Sequence, residues 1–188
     1  MDKDAIITAW DEHLAKELFT KDVDATMQTM TADPYVNHVP TMTGGSGAAE
    51  LKRFYKSHFI FRQPDDFAVE PVSRTVGDTT LVDEMVATFT HSCRMDYFLP
   101  GIAPTHRRIE VPLVVIAHFA DGKLAQEHIY WDQASVLVQA GLIEVGALPI
   151  AGAEVARKVL DRHLPSNGLM ASEWAESEAG PPENHAAR

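Results

Sequence analysis

The hydrophobic pattern of this chain changes period at Pro64. Before it, large apolar residues recur every three or four positions, the spacing of one helix face; after it, β-branched and aromatic residues crowd four long stretches with the period of strands. A chain written this way places helices first and a sheet afterwards. A sheet with one apolar face needs a helical layer to cover it, so the pattern predicts an α+β domain.

Over residues 4–19, Ile6, Trp10, Leu14 and Leu18 recur every four positions and predict a first helix, its start carrying acids that suit the helix dipole. Asp22 reads as the N-cap of a second helix through Met27 and Met30. That helix has to stop before Pro34, because the residue preceding a proline is pushed out of the α region. Residues 35–39 read as a short strand, and the loop 43–47 leads into a third helix with Leu51, Phe54, Tyr55 and His58 on one stripe. Residues 67–76, 80–92, 109–119 and 124–131 predict an antiparallel meander, with Gly77-Asp78 and Asp121-Gly122 as hairpin turns and 94–108 as a longer loop. Helical spacing returns at 133–143 and 151–164. After Pro165 the signal fades into an acidic stretch containing Gly180-Pro181-Pro182, which suits a tail or an arm ordered only against something else. The domain is expected over residues 1–148, with a C-terminal helix and tail over 149–188.

Composition narrows the function. At 188 residues, 45% hydrophobic and 23% charged, the chain can bury one real core. Sixteen Lys plus Arg against 27 Asp plus Glu give a net charge of −11, the wrong sign for nucleic acid or an anionic membrane. A small neutral or weakly charged ligand is the expected partner. Cys93 is the single cysteine, so no internal disulfide forms and a reducing cytoplasm is the expected home. The opening Met1-Asp2-Lys3-Asp4 lacks the basic-then-apolar order of a secretion signal, and no apolar run approaches the ~18 residues of a membrane span.

If the sheet bends strongly, its concave side and the helices enclose a conical cavity. Here Asn37-His38 at the end of the first strand, the hairpin Phe119-Ala120-Asp121-Gly122-Lys123-Leu124, the strand ending Trp131-Asp132 and the following Gln139-Ala140-Gly141-Leu142 resemble the SnoaL-like polyketide cyclase branch of the nuclear-transport-factor-2-like superfamily. The resemblance covers residues 4–143. It implies a cone-shaped fold, a cavity for a small molecule, an acid/base aspartate at the position of Asp132, a catalytic histidine at that of His118, and pairing into homodimers.

Asp132 closes the last strand, where a carboxylate at the rim of an apolar cavity would have its pKa raised toward a value useful for proton transfer. It is equally suited to capping the helix that follows. Alternation puts His128 and Tyr130 on the face of Asp132 and turns Glu127, Ile129 and Trp131 the other way. Whether His118 joins that wall depends on the hairpin: a two-residue Asp121-Gly122 turn sends it to the opposite face, and a three-residue bulged turn, favoured here because of the resemblance, brings it inward. Asn37 or His38 could donate to a substrate oxygen, Tyr55 on its core stripe and Glu84 are further substrate-binding candidates, and one of Glu84 and His91 faces inside. His13, His106, His163 and His185 read as surface or packing residues.

No cofactor is expected, since no phosphate loop or dinucleotide motif occurs, and the histidine spacings argue against a metal. The expected activity is cofactor-independent proton transfer on a small carbonyl compound, as in a cyclase, isomerase or dehydratase, with a non-reacting ligand-binding or assembly module as the alternative. An epoxide hydrolase would need two carboxylates and an arginine around one water, of which only Asp132 can be named. With the bulged turn, Val111, Leu113, Val115 and Ile129 are expected on the outward, pairing face.

Overall fold

The computed structural model describes residues 2–180. Helix α1 (Lys3–Leu14) begins at Asp2, whose carboxylate accepts the Asp4 backbone N–H, and runs on into a π-helical turn over Ala15–Thr20. Asp22 caps α2 (Val23–Gln28) as its sequence predicts, accepting the Ala25 N–H at 3.0 Å. Strand β1 (Met30–His38) is followed by β2 (Thr43–Ser46), a strand where a loop was expected. Gly44 permits this pairing: its φ is 144°, and a Cβ there would sit 2.0 Å from the Val36 carbonyl oxygen. Helix α3 (Ala48–Phe54) also passes into a π-helical turn, Tyr55–Phe59.

The meander follows as β3 (Ala68–Val76), β4 (Thr80–Thr90), β5 (Arg108–Ala120) and β6 (Lys123–Trp131). All six strands form one sheet in the order β2-β1-β6-β5-β4-β3, antiparallel except where β1 lies parallel to β6. Pro71, which has no amide hydrogen to give a ladder, sits in the edge strand β3. Along β5 burial alternates without a break, with Ile109, Val111, Leu113, Val115, Ala117 and Phe119 inside. The expectation that Val111, Leu113, Val115 and Ile129 form an outward face is therefore reversed: all four are buried in the core.

The β5–β6 hairpin explains that reversal. Asp121 and Gly122 have φ of 51° and 79°, a two-residue turn that pairs Phe119 with Leu124 and Ala120 with Lys123. The three-residue turn favoured from the sequence does not form. A bulge comes later, in β6: pairing steps from Phe119↔Leu124 to His118↔Gln126, leaving Ala125 unpaired. An extra residue inverts the parity of the strand beyond it. Leu124 and Glu127 both face inward because of Ala125; with an unbroken ladder His128 would take the inner place.

Helix α1 is clamped to the concave face of the sheet. The Arg74 guanidinium grips both carboxylate oxygens of the buried Asp83 at 2.6 and 2.7 Å, and the Trp10 indole N–H donates to the same carboxylate at 2.7 Å. Arg74 also reaches Asp11 at 2.9 Å. The clamp fixes the rotation of α1 and hence which side chains of its continuation meet the sheet.

After β6, α4 (Gln133–Gln139) and α5 (Glu154–Leu160) lie against β5, and Arg157 forks onto Glu110 at 2.9 and 3.0 Å. Both helices are shorter than expected. The last described part includes α6 (Ala171–Glu176), with Leu169 and Trp174 exposed beside and on it. Residues 181–188, which hold Pro181, Pro182 and His185 of the expected tail, lie outside the described residues. Among the described residues no helix is long and apolar enough to cross a membrane.

Candidate active site

Five neighbouring strands line one hollow: His38 from β1, Glu127 and Ile129 from β6, Leu113 from β5, Met85 from β4 and Val69 from β3. The sheet thus curves around it, and Leu14, Glu17 and Leu18 from the end of the first helix roof it. The cavity is narrow, about 70 Å³, and its walls are overwhelmingly hydrocarbon. Through Leu18, Phe67 and Val69 it adjoins a wider vestibule of about 460 Å³ that also holds Phe19, Lys21, Gln63 and Asp65.

Two carboxyl groups share this greasy space. Glu17 is 4% and Glu127 5% exposed. Burial pushes the Glu127 carboxyl up to a pKa of about 8, and burial first, then the Glu127 charge, lifts Glu17 well above the usual carboxylate range. A desolvated carboxylate without a cation keeps its proton, because ionising it in a low-dielectric interior costs several kcal/mol. Glu17 lies in the π-helical turn that continues α1, on the same face as Ile6, Trp10 and His13.

Around the pair stand polar groups with their hydrogen-bonding capacity unspent. The Tyr55 and Tyr97 hydroxyls are buried without a partner, and burial holds both well above the usual phenol range. Both therefore keep an O–H to donate. Tyr55 feels the charges of Glu17 and Glu127, and Tyr97 that of Glu17. His38 sits in a ring of aromatic groups, 5.5 Å from Phe54, 5.3 Å from Phe59 and 5.6 Å from Tyr97 between ring centres. Burial lowers its pKa to about 4, so the ring is neutral. Its Nδ1 lies 3.2 Å from the Thr43 carbonyl oxygen, which can only accept. The remaining nitrogen, Nε2, is then an acceptor, and His38 cannot be the donor it was expected to be.

Of the residues expected at the site, the structure brings His38 and Tyr55 to the cavity region and leaves the others outside it. Asp132 is exposed, and its Oδ1 accepts the Ala134 and Ser135 amides at 2.9 and 3.2 Å: it caps α4. His118 lies on the opposite face of the sheet beside Thr80, 3.1 Å away. His128 shares that face, 3.0 Å from the Gln126 amide and edge-on to Tyr35, and Tyr130 is 41% exposed there. Glu84 is also on the outer side, accepting from Ser73 at 2.9 Å, whereas His91 is the inward member of that alternative. Asn37 precedes His38 in β1 and takes the other face. The cause in β6 is the Ala125 bulge, which turns the face carrying His128 and Tyr130 outward, while Asp132 lies past the strand end as the α4 cap.

Three cavity-lining residues, Glu17, Tyr97 and Glu127, and His13 buried beside Glu17, were not read as site residues from the sequence. His13 and Glu17 carried a signal. A stripe repeating every four residues drifts around a helix by about 40° per step, so the face that begins with Ile6 and Trp10 continues through His13 and Glu17 rather than Leu14 and Leu18. Both are buried, His13 fully. Among the described residues no group of three or more His, Cys, Asp or Glu side chains is arranged to hold a metal ion.

With this geometry established, comparison with known proteins supplies the family. The model described as a SnoaL-like domain matches residues 7–127, more than half of the chain. The protein belongs to the SnoaL-like family. Comparison with curated proteins gives no match. Solved structures share the fold: TsrD from Streptomyces laurentii is 18% identical, with a TM-score of 0.56 over 76% of this chain and 99% of that one. A candidate SnoaL-like polyketide cyclase from Jannaschia sp. CCS1 is 17% identical, with a TM-score of 0.56 over 75% and 92%. The epoxide hydrolase/cyclase-like enzyme SalBIII, described in pyran ring formation in salinomycin, is 16% identical, with a TM-score of 0.51 over 69% and 92%. Identities this low establish architecture alone.

The buried pair sets a pH dependence of stability. Glu17 and Glu127 keep protons in the fold that they release near pH 4.5 when unfolded, so the folded chain binds more protons and loses stability as pH rises from about 4.5 through about 8. Buried neutral His13 and His38, with pKa values of about 3 and 4, and His91, also lowered by burial, act oppositely until unfolded histidine has lost its proton, about one pH unit above 6.5. Above about pH 7.5 the carboxyls dominate, each contributing up to roughly 1.4 kcal/mol per pH unit. The thermal midpoint is therefore expected to fall from about pH 7.5 to 8, and Glu127→Gln to make that fall shallower. A midpoint that is level or rising across this interval would remove the buried, protonated pair.

Proposed function

We propose that the protein is a cofactor-independent enzyme that moves protons on a small, uncharged carbonyl compound, with Glu17 and Glu127 as its acid/base pair. The observation that carries this reading is two carboxyls of raised pKa in one apolar cavity, surrounded by hydroxyls that have no partner. Glu127, once ionised, removes a proton from the carbon next to the carbonyl. The charge that builds on the carbonyl oxygen is met by the Tyr55 or Tyr97 hydroxyl. Glu17, still protonated, returns a proton at another atom, which completes an isomerisation, a ring closure or a dehydration. The narrow cavity suits the reacting end of a substrate and the vestibule its remainder.

A non-reacting ligand-binding module is the rival. Such a pocket would have its polar groups tied to one another, whereas Tyr55, Tyr97 and His13 each retain a buried polar atom without a bond. SalBIII shows that the same architecture can carry a cyclase-like enzyme, and the residues here, not that likeness, support the reading. Pairing into a homodimer belongs to the same proposal, through the outer sheet face where Tyr35, Val114 and Tyr130 are each more than a third exposed. A solution mass near twice 20.7 kDa is expected, and a monomer at all concentrations would contradict it. A reducing cellular compartment fits the unpaired Cys93.

The chemistry can be tested before the natural substrate is known. A panel of small enolisable ketones in heavy water is expected to exchange deuterium at the carbon beside the carbonyl, followed by mass spectrometry, at a rate that climbs with pH until Glu127 is ionised near pH 8. Glu127→Gln should lower that exchange by about a hundredfold or more, and Tyr55→Phe by about tenfold. Exchange that is equally fast in the folded Glu127→Gln protein would rule out the assigned base.

A further inference from the structure

His13 is the one fully buried group at the site that the proposed chemistry leaves without a task. Its Nδ1 lies 2.7 Å from the Thr29 hydroxyl oxygen, and that hydroxyl is 2.6 Å from the Thr26 carbonyl oxygen. A carbonyl only accepts, so the Thr29 proton points to Thr26 and Thr29 Oγ1 accepts from His13. The ring is thereby held as the Nδ1–H tautomer. Its Nε2 carries the lone pair, has no hydrogen-bond partner, and lies 3.6 Å from Glu17 Oε2. An orphaned acceptor aimed at a carboxyl oxygen is a place for the Glu17 proton to go.

Thr29, at the other end, is half-buried and lines a separate polar crevice of about 260 Å³ with Gln28, Lys123 and the ion-paired Glu12 and Lys16. Glu17 lines the cavity and Thr29 the crevice, and His13 is the group that touches both. Trp10 stacks on the His13 ring at 5.8 Å between ring centres, and Tyr55 lies tilted against it at 6.5 Å.

We infer that Thr29 and His13 form a proton path from the outer crevice to the buried carboxyl pair, separate from the mouth through which substrate enters. The inference rests on the reading of Glu17 and Glu127 as proton-carrying groups. In the outward direction Glu17 gives its proton to His13 Nε2 as Nδ1–H passes to Thr29 Oγ1. The Thr29 hydroxyl in turn rotates from the Thr26 carbonyl toward the crevice and releases its own proton to water there. The reverse sequence reloads Glu17, and one proton is moved in each direction without a net change in the chain. His13 and Thr29 are thus positioning and relay residues, and neither touches the substrate. The path lets Glu17 regain the proton it has given up while a ligand blocks the cavity mouth, and the proton taken by Glu127 leaves through the mouth once the product has gone.

The test follows the infrared band of the protonated buried carboxyls in the full-length protein after transfer to heavy water, with the cavity mouth free. Wild type and Thr29→Ser are expected to exchange at similar rates, and Thr29→Val, which keeps the shape and removes the hydroxyl, at least about tenfold more slowly. Equal rates in all three would overturn the path, since the proton would then enter by the mouth. Absence of any protonated carboxyl band near neutral pH would instead refute the underlying reading of Glu17 and Glu127. Nitrogen NMR of His13 in the unmodified protein gives a second check that needs no variant: the Nδ1–H tautomer supports the path, and the Nε2–H tautomer contradicts it.

Discussion

Two carboxyl groups enclosed by hydrocarbon, with no lysine or arginine among the residues lining their cavity, dominate this structure. Water would stabilise an ionised carboxylate by far more than these walls can, so the groups hold their protons to unusually high pH. The hydroxyls of Tyr55 and Tyr97 stay protonated for the same reason, and His13 and His38 stay neutral. Every group at the site is thereby in the form that can exchange a proton or a hydrogen bond with an uncharged ligand. The fold supplies the enclosure, and the enclosure sets these protonation states.

That enclosure depends on two local features. The Ala125 bulge reverses the facing of β6 and turns Glu127 inward, and the Arg74–Asp83–Trp10 clamp sets the rotation of α1 that carries Glu17 over the sheet. The clamp's charges are mutually paired and bonded, so they are stable where they lie and take no part in the cavity. The glutamates are the opposite case. Their instability as ions is held in place by the surrounding core, as strained or destabilised groups at functional sites commonly are.

The change of hydrophobic period at Pro64 was enough to read the helices and the four-strand meander, because periodicity reports directly on which residues are buried, while the family resemblance came from short motifs such as Asn37-His38 and Trp131-Asp132. The family and the α+β architecture agree with both. The site was legible only in part. Placing Asp132, His118, His128 and Tyr130 on the cavity required the register of one hairpin, and a single unpaired alanine decides that register without any mark in composition. Asp132 shows the limit of residue type as a guide: an aspartate ahead of a helix meets the first-turn amides before it meets a substrate. His13 and Glu17 could have been found by following a 3.6-residue helix instead of a four-residue repeat, since two polar residues on an apolar stripe are either buried for a reason or fatal to packing. Tyr97 sits in a loop, where no periodicity points to its burial.

The account stands or falls on the protonation of Glu127. Carboxyl-carbon NMR of glutamate-labelled protein, with the Glu127 resonance assigned by its loss in a substituted variant, measures it directly. The account requires a titration midpoint near 8. A midpoint near 4.5, the value of an exposed glutamate, would mean that water reaches the carboxyl and that the cavity does not do the chemistry assigned to it.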